Sequence, residues 1–379
     1  MDRLQLAIKA IVRRRLRSAL IVLGAAMSIF LFCLIGSIQA GLDSLLGQKE
    51  ANRRLVVFQE NKFCPATSQL PEVYTDELMK IPGVVDAIPI QVFTNNCRAS
   101  LDVVVFLGMP AEKLQHIRNL DLHEGSWDEF IGRSDAALIG ADVAQRRGIR
   151  TGDTFSIGSY TVRIVGVFTS DNPAEESYFY THLDYLQYGN FTNGEGVVTQ
   201  FEVLLDDSAD PLVLQEEIDE LFASAQIATD TRTKGAFQQK SLGDLTQVIQ
   251  FSSALGYACV GLLFVLLATT SLMGIQDRMK ELAVMKVLGY SRIAIFQNIV
   301  AETTIVGFLG GILGVLLAVI LITASPFSLS AEAVTIAFVP SWELSLTALG
   351  FSMAGALAAG VVPAWVAARH APLSALQEG

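Results

Sequence analysis

Residues able to do chemistry are few and scattered in this chain of 379 residues. The four histidines (His116, His123, His182 and His370) form no HExxH or other metal pair, and no cysteine spacing resembles a zinc site. The acidic pairs Glu175–Glu176 and Glu216–Glu217 lie in polar settings and read as solvated surface. No GxxxxGK followed by Ser or Thr is present, so the chain has no P-loop with which to hydrolyse ATP, and no GxSxG nucleophile elbow occurs. The glycines of GIRTGDT (Gly148–Thr154) lead into a strand pattern rather than a helix, which makes that stretch a turn rather than a phosphate cradle. On this reading the chain is not an enzyme by itself, and any energy it uses comes from a partner.

One stretch does concentrate charge in an unusual place. QDRMKELAVMKVLGYSR (Gln276–Arg292) sits between two long apolar runs, Ser252–Ile275 and Ile299–Thr323. Charge is costly in hydrocarbon, so such a stretch belongs at a membrane surface. Met279, Leu282, Met285 and Leu288 recur every three residues, while Arg278, Lys280, Glu281 and Lys286 fall mostly elsewhere around a helix, and Gly289 supplies a stop. A short interfacial helix and an ordinary interhelical loop both fit this periodicity.

The elements that must position this stretch follow from composition. Hydrophobic residues make up 51% of the chain, and the mean hydropathy is +0.43, too apolar for an ordinary soluble protein. Four windows have membrane-spanning length, roughly Leu20–Ala40, Ser252–Ile275, Ile299–Thr323 and Leu344–Val366. Residues 41–247 carry 16 Lys+Arg against 31 Asp+Glu, whereas the remainder carries 11 against 7. Basic residues cluster before the first window (Arg3, Lys9, Arg13, Arg14, Arg15, Arg17) and between the second and third (Arg278, Lys280, Lys286, Arg292). The positive-inside rule puts both clusters in the cytoplasm and the acidic region outside. Four spans then return the C-terminus, with Arg369, to the cytoplasm. An acidic exterior also argues against nucleic acid as a partner.

The expected fold is an α-helical membrane domain of four transmembrane helices, with a large mixed α/β extracytoplasmic domain inserted between the first and second. The expected divisions are an amphipathic cytoplasmic helix at 1–17, the first span with the start of a stalk at 18–42, and the external domain with its stalk at 43–247. The second span follows at 248–275, the charged helix at 276–292, the third span at 297–323, a short external loop at 324–342, the fourth span at 343–366 and a cytoplasmic tail at 367–379. The rival for the N-terminus is a cleaved signal peptide, but an apolar run of about 20 residues exceeds the usual signal core.

In the external region, Arg54–Phe58, Leu101–Phe106, Ala137–Gly140 and Phe201–Leu205 read as strands, and Tyr74–Ile81 and Ala111–Arg118 as short helices. Thr154–Phe168 reads as a hairpin turning at Gly158–Ser159. A helix over Asp210–Ala225 would place Leu214, Ile218, Leu221 and Phe222 along one face. Ala236–Phe251 reads as helix running into the second span. Cys33 and Cys259 fall in apolar windows and read as core. Cys64 and Cys97 fall in the external region, where oxidation is permitted; a disulfide between them and two free thiols are both open. In the third span Gly307/Gly311 and Gly310/Gly314 form overlapping GxxxG pairs suited to close helix packing or a dimer contact. Glu302, near the cytoplasmic end of that span, is a candidate for gating, its alternative being an interfacial or helix-start role. Pro363 reads as a kink or stop in the fourth span.

RMKELAVMKVLGYSR, followed by Ala301–Glu302 and by GGILG (Gly310–Gly314), resembles the signature of MacB/FtsX-like ABC transporter permeases. PAWVAARHAPLSAL (Pro363–Leu376) is similar to that family's closing segment, and Ile81–Pro89 and Ala141–Phe155 resemble phrases of its periplasmic domain. The resemblance implies a homodimer bound to two cytoplasmic ATPases, with ATP and magnesium held on those partners and no cofactor bound by this chain directly. It implies that the stretch at 276–292 is a coupling helix in which Arg278, Glu281, Leu282, Lys286, Leu288 and Gly289 meet the ATPase. It also implies that hydrolysis moves the external domain, a mechanotransmission serving export or extrusion, in the cytoplasmic (inner) membrane of a bacterium, where a periplasmic adaptor is a further candidate partner. Control of an external cell-wall hydrolase is the alternative within the family. A membrane receptor or adhesion protein working without ATP is the alternative outside it, and would leave the coupling stretch unexplained.

Overall fold

The computed structural model describes residues 15–46, 53–62, 65–95, 103–189, 196–241, 243–276, 284–324, 328–331 and 334–369. The chain divides into two compact units, a helical one drawn from 1–39, 249–324 and 340–379, and an α/β one drawn from 40–248 and 325–339.

The helical unit is made by four helices of membrane-spanning length and hydropathy: Ser18–Ser44, Gln247–Gln276, Arg292–Ala324 and Trp342–Arg369. Their common core is built largely of small and aliphatic side chains, with Ala25, Ile29, Val260, Leu263, Leu267, Ala318, Ala348 and Ala356 all buried. Few of these side chains are bulky, so helix backbones approach closely. Thr269, Thr270, Thr303, Thr304 and Thr323 return their hydroxyls to carbonyls of the preceding turn, which removes an unpaired polar group from an apolar setting. Of the kink or stop expected at Pro363, the stop does not occur: Trp342–Arg369 is continuous with Pro363 inside it. Ala364 and Ala367, beyond the proline, are buried against Ile275, Ile295 and Ile299, and this packing carries the helix onward.

In the α/β unit ten strands form one mixed sheet. In chain order they are β1 (Arg54–Gln59), β3 (Val84–Thr94), β4 (Val105–Met109), β5 (Leu120–Gly125), β6 (Ala136–Gly140), β7 (Thr154–Ile157), β8 (Tyr160–Ser170), β9 (Tyr178–His182), β11 (Gln200–Leu205) and β12 (Thr229–Thr233). A short β2 (Leu70–Pro71) pairs with β10 (Val197–Val198) in a separate ladder. The long sheet runs β12-β1-β11-β3-β4-β9-β6-β8-β5, with β7 added to β8. Only β4·β9 and β6·β8 are parallel. The hairpin at Gly158–Ser159 joins β7 to β8, and Gly158 takes φ +58, the left-handed backbone that a tight turn needs. Of the strand expected at Leu101–Phe106, Leu101 and Asp102 lie outside the described residues; the described strand is Val105–Met109, in register with Tyr178–His182. The helix at Pro211–Phe222 starts on the Asp210 cap and buries Leu214, Ile218 and Phe222. Leu221, expected on that buried face, is 46% exposed. Three and four residues before it stand Ile218 and Glu217; the stripe through 214, 218 and 222 is narrower than the sequence pattern suggests. Between Ser328 and Ala337 a two-stranded hairpin closes the unit, and its Thr335 hydrogen-bonds Tyr178.

Candidate functional site

Of the charged stretch, residues 284–290 are described, and Arg278, Glu281 and Leu282 lie outside the described residues. Residues 284–287 are helical, and the helix ends in a Schellman turn. Tyr290 N–H donates to the Met285 carbonyl at 3.1 Å and Gly289 N–H to the Lys286 carbonyl at 3.0 Å, with Gly289 at φ +93. Ser291 then caps the next helix, its hydroxyl accepting from Ala294 N–H at 3.2 Å. Two side chains fasten this segment to its own unit. Met285 packs against the cluster of Ile275, Ile295, Ile299, Ala364 and Ala367. Lys286 Nζ donates to the carbonyls of Ala367 at 3.1 Å and Ala368 at 3.3 Å. Those carbonyls belong to the last turn of Trp342–Arg369, the negative end of that helix, where a cation is favoured. Burial, and then Arg292, hold the Lys286 ammonium below its ordinary pKa.

Expected among the ATPase contacts, Lys286 thus spends its charge within its own chain. Its neighbours face outward: Val284 is 51%, Val287 71% and Leu288 72% exposed. Large apolar side chains this exposed on a polar segment mark a surface meant to be covered. The three-residue stripe expected from Met285 through Leu288 is therefore split, Met285 serving the chain and Leu288 the outside. Val284 and Val287 were not singled out by periodicity, and their neighbourhood to Leu288 on one short turn is the signal that finds them.

The four glycines of the third span face two different helices. A Cβ at Gly307 would collide with Ala356, and one at Gly311 would stand 2.7 Å from the Ser352 hydroxyl, both on Trp342–Arg369. A Cβ at Gly310 would collide with Ala25, and one at Gly314 would stand 2.5 Å from the Ala26 carbonyl oxygen, both on Arg15–Leu46. Ser352 Oγ also donates to the Gly307 carbonyl at 2.7 Å. All four glycines are thus occupied by contacts within one chain. Glu302 is half-buried in the third turn of Arg292–Ala324, one residue before the buried Thr303. Cys64 and Cys97 lie outside the described residues; Cys33 and Cys259 are free thiols. Among the described residues no group of His, Cys, Asp and Glu is arranged to hold a metal.

In the α/β unit the structure assembles a polar centre that the sequence reading missed. Glu202, on β11, is 2% exposed and accepts from Arg54 Nη1 at 2.9 Å, from Arg118 Nη1 at 2.9 Å and from Lys234 Nζ at 3.3 Å. Arg118 Nη2 pairs with the second carboxylate oxygen, so the guanidinium grips Glu202 with both arms. Burial alone would raise the Glu202 pKa, but Arg118, Lys234 and Arg54 hold it well below the ordinary carboxylate value. Glu175, read above as solvated surface, is 8% exposed; its Oε1 lies 3.8 Å from Arg118 Nε and its Oε2 accepts from the Ser170 hydroxyl. The buried cations around it explain the difference. Glu216 and Glu217 are exposed. Nearby, burial and the Glu176 carboxylate push Asp142 up to about 6.

Comparison with known proteins agrees with this division. Residues 18–221 match the MacB-like periplasmic core domain, and residues 253–372 the FtsX-like permease C-terminal domain. The chain is 24% identical to an uncharacterized ABC transporter permease of Methanocaldococcus jannaschii, over 99% of this chain and 98% of that protein. It is 26% identical to the macrolide export ATP-binding/permease protein MacB of Escherichia coli, over 59% of this chain but 35% of that longer protein. Among solved structures, the periplasmic region of MacB from Actinobacillus actinomycetemcomitans aligns with 50% of this chain and 92% of its own at 14% identity and a TM-score of 0.37. The extracellular domain of the ABC-type transporter YknZ aligns with 47% of this chain and 98% of its own at 17% identity and a TM-score of 0.35. With one domain family covering more than half of its length and a second covering most of the rest, the chain belongs to the MacB/FtsX-like ABC transporter permeases and is a multi-pass membrane protein.

Proposed function

We propose that this chain is the membrane subunit through which a separate cytoplasmic ATPase drives movement of the α/β unit on the far side of the membrane. The observation that carries this reading is the segment at 284–290: an exposed apolar face of Val284, Val287 and Leu288 on a turn fastened from behind by Met285 and Lys286. A face so exposed and so firmly backed suits transmission of force from a partner seated on it. Membership of the family implies an ATPase partner in general, and the chain's lack of a P-loop assigns nucleotide and magnesium to that partner. Arg278, Glu281 and Leu282 extend the same docking segment in sequence. The basic clusters support a cytoplasmic position for this segment and both termini, with the acidic residues 41–247 outside. Two copies of the chain would enclose the membrane path, and export or extrusion of a substrate from the outer leaflet or the space beyond is the work performed.

Replacing Val287 and Leu288 together by Glu tests this. Co-purification of the ATPase from native membranes should weaken by about 30-fold or more, the effect of losing an interface hot spot, while the thermal stability of the permease stays unchanged. Undiminished recovery of a coupled ATPase with the double variant would remove this face from the interface.

A further inference from the structure

A cavity of about 70 Å³ in the α/β unit has apolar walls from Val56, Ile90 and Phe237 and a polar wall that includes Arg118, Tyr180 and Gln238. One buried atom of each of these three residues, Arg118 Nε, Tyr180 Oη and Gln238 Oε1, has no hydrogen-bond partner among the described residues. Arg118 places its other two nitrogens on Glu202, but its Nε lies 3.8 Å from Glu175 Oε1, beyond direct hydrogen-bond reach. Tyr180 is 0% and Gln238 8% exposed, so bulk solvent does not serve them.

An unpaired buried polar atom costs stability, and three around one void would consume much of the margin of a domain. Their types narrow what fills the space. Arg118 Nε can only donate, Gln238 Oε1 can only accept, and the Tyr180 hydroxyl does either. An apolar occupant satisfies none of them. A halide would accept from Arg118 and Tyr180, yet it would face the Glu175 and Glu202 carboxylates and leave Gln238 Oε1 unpaired. A small neutral molecule that both donates and accepts satisfies all three, and the cavity exceeds the roughly 10–15 Å³ that one water needs.

We infer that this cavity is a built water site: ordered water accepts from Arg118 Nε and Tyr180 Oη and donates to Gln238 Oε1 and Glu175 Oε1. The consequence concerns the helix Lys234–Ser241. Lys234 and Gln238 are one helical turn apart, and Lys234 reaches Glu202 at 3.3 Å. The helix is seated on the sheet there through ions and solvent, and beside them through Phe237 against Phe58, at a ring separation of 5.2 Å. This inference does not depend on an ATPase partner.

Tyr180→Phe and Gln238→Met, made in the full chain purified in mild detergent, decide the matter by the sign of their effect. If water bridges these atoms, each variant removes one of its partners and lowers Tm by about 2 °C or more. If the cavity is dry, each variant removes an unpaired polar atom and raises Tm, and a rise in either overturns the inference. Crystals of the full chain soaked in bromide give an independent reading. Density of water scale at Arg118 Nε, without anomalous signal, is expected; a bromide peak there, or an empty void, would overturn it.

Discussion

The α/β unit and the helical unit hold their interiors together by opposite means. The α/β unit takes charge inside: Glu202 gathers Arg54, Arg118 and Lys234, with Glu175 close behind. The helical unit buries no charged side chain among the described residues and brings backbones together over Gly307, Gly310, Gly311 and Gly314. The difference follows from the surroundings each must fold in. In water, the burial of Phe106, Phe168, Phe179 and Phe201 supplies a drive large enough to offset the cost of a charged centre. Among lipid tails an apolar side chain gains little by leaving its neighbours, so close fit and a few hydrogen bonds must hold the helices together. One unit should therefore fail when a charge is deleted, and the other when a methyl group is added.

The largest effect should come from Glu202→Gln, which leaves three cations around a neutral amide. A loss of about 3–5 kcal/mol is expected in chemical denaturation of the full chain. Because Glu202 is held below the ordinary carboxylate range, its contribution is present above pH 4.5 and is lost as pH falls through the lower folded value. The variant should show no such acid-dependent loss. A cost under about 1 kcal/mol would mean that the centre relaxes into solvent, and the contrast between the units would dissolve.

Next comes Gly310→Leu, which drives a side chain into Ala25 and should cost about 1–3 kcal/mol by overpacking. Its loss should be the same at pH 5 and pH 7, because no titrating group is involved. Full stability in detergent would show that the first and third helices can separate freely.

A smaller effect of the opposite sign is expected at Asp142. Burial first, and Glu176 second, raise its carboxyl to about 6, so the folded chain holds that proton more tightly than the unfolded one. Stability from this group should rise as pH falls from 7 to 5. Asp142→Asn should raise Tm at pH 7 by about 2 °C and flatten that slope in a thermal scan series. The smallest effect is that of Ser352→Ala, which removes the hydrogen bond to the Gly307 carbonyl and should cost about 0.6 kcal/mol. A much larger loss there would show that polar contacts, more than shape, hold the third and fourth helices.

Local patterns were legible in the sequence where the signal lies within a few residues. The four apolar windows became four long helices, and the Gly158–Ser159 hairpin and the Asp210-capped helix were readable from their own residues. The small-residue spacing at 307–314 announced close packing, but which glycine meets which helix depends on partners far away in the chain, Ala25 on one side and Ala356 on the other. Burial of charge was not legible at all. Glu175 and Glu176 are adjacent and identical in kind, and their local setting is polar. Only the arrival of Arg118 from another segment makes the interior tolerable for Glu175. In the charged stretch, spacing identified an apolar stripe but could not say that Met285 turns inward while Leu288 turns out.

If the chain works as proposed, the turn at Gly289 would set how motion is handed on. Residues 288–291 are all that separate the short helix at 284–287 from the helix Arg292–Ala324, and Tyr290, Gly289 and Ser291 each hold a backbone or capping bond there. A linker without free torsions has no slack. On the proposed function, a push on Leu288 would be carried to Arg292 rather than absorbed, and two or three flexible glycines inserted after Tyr290 would act as a clutch.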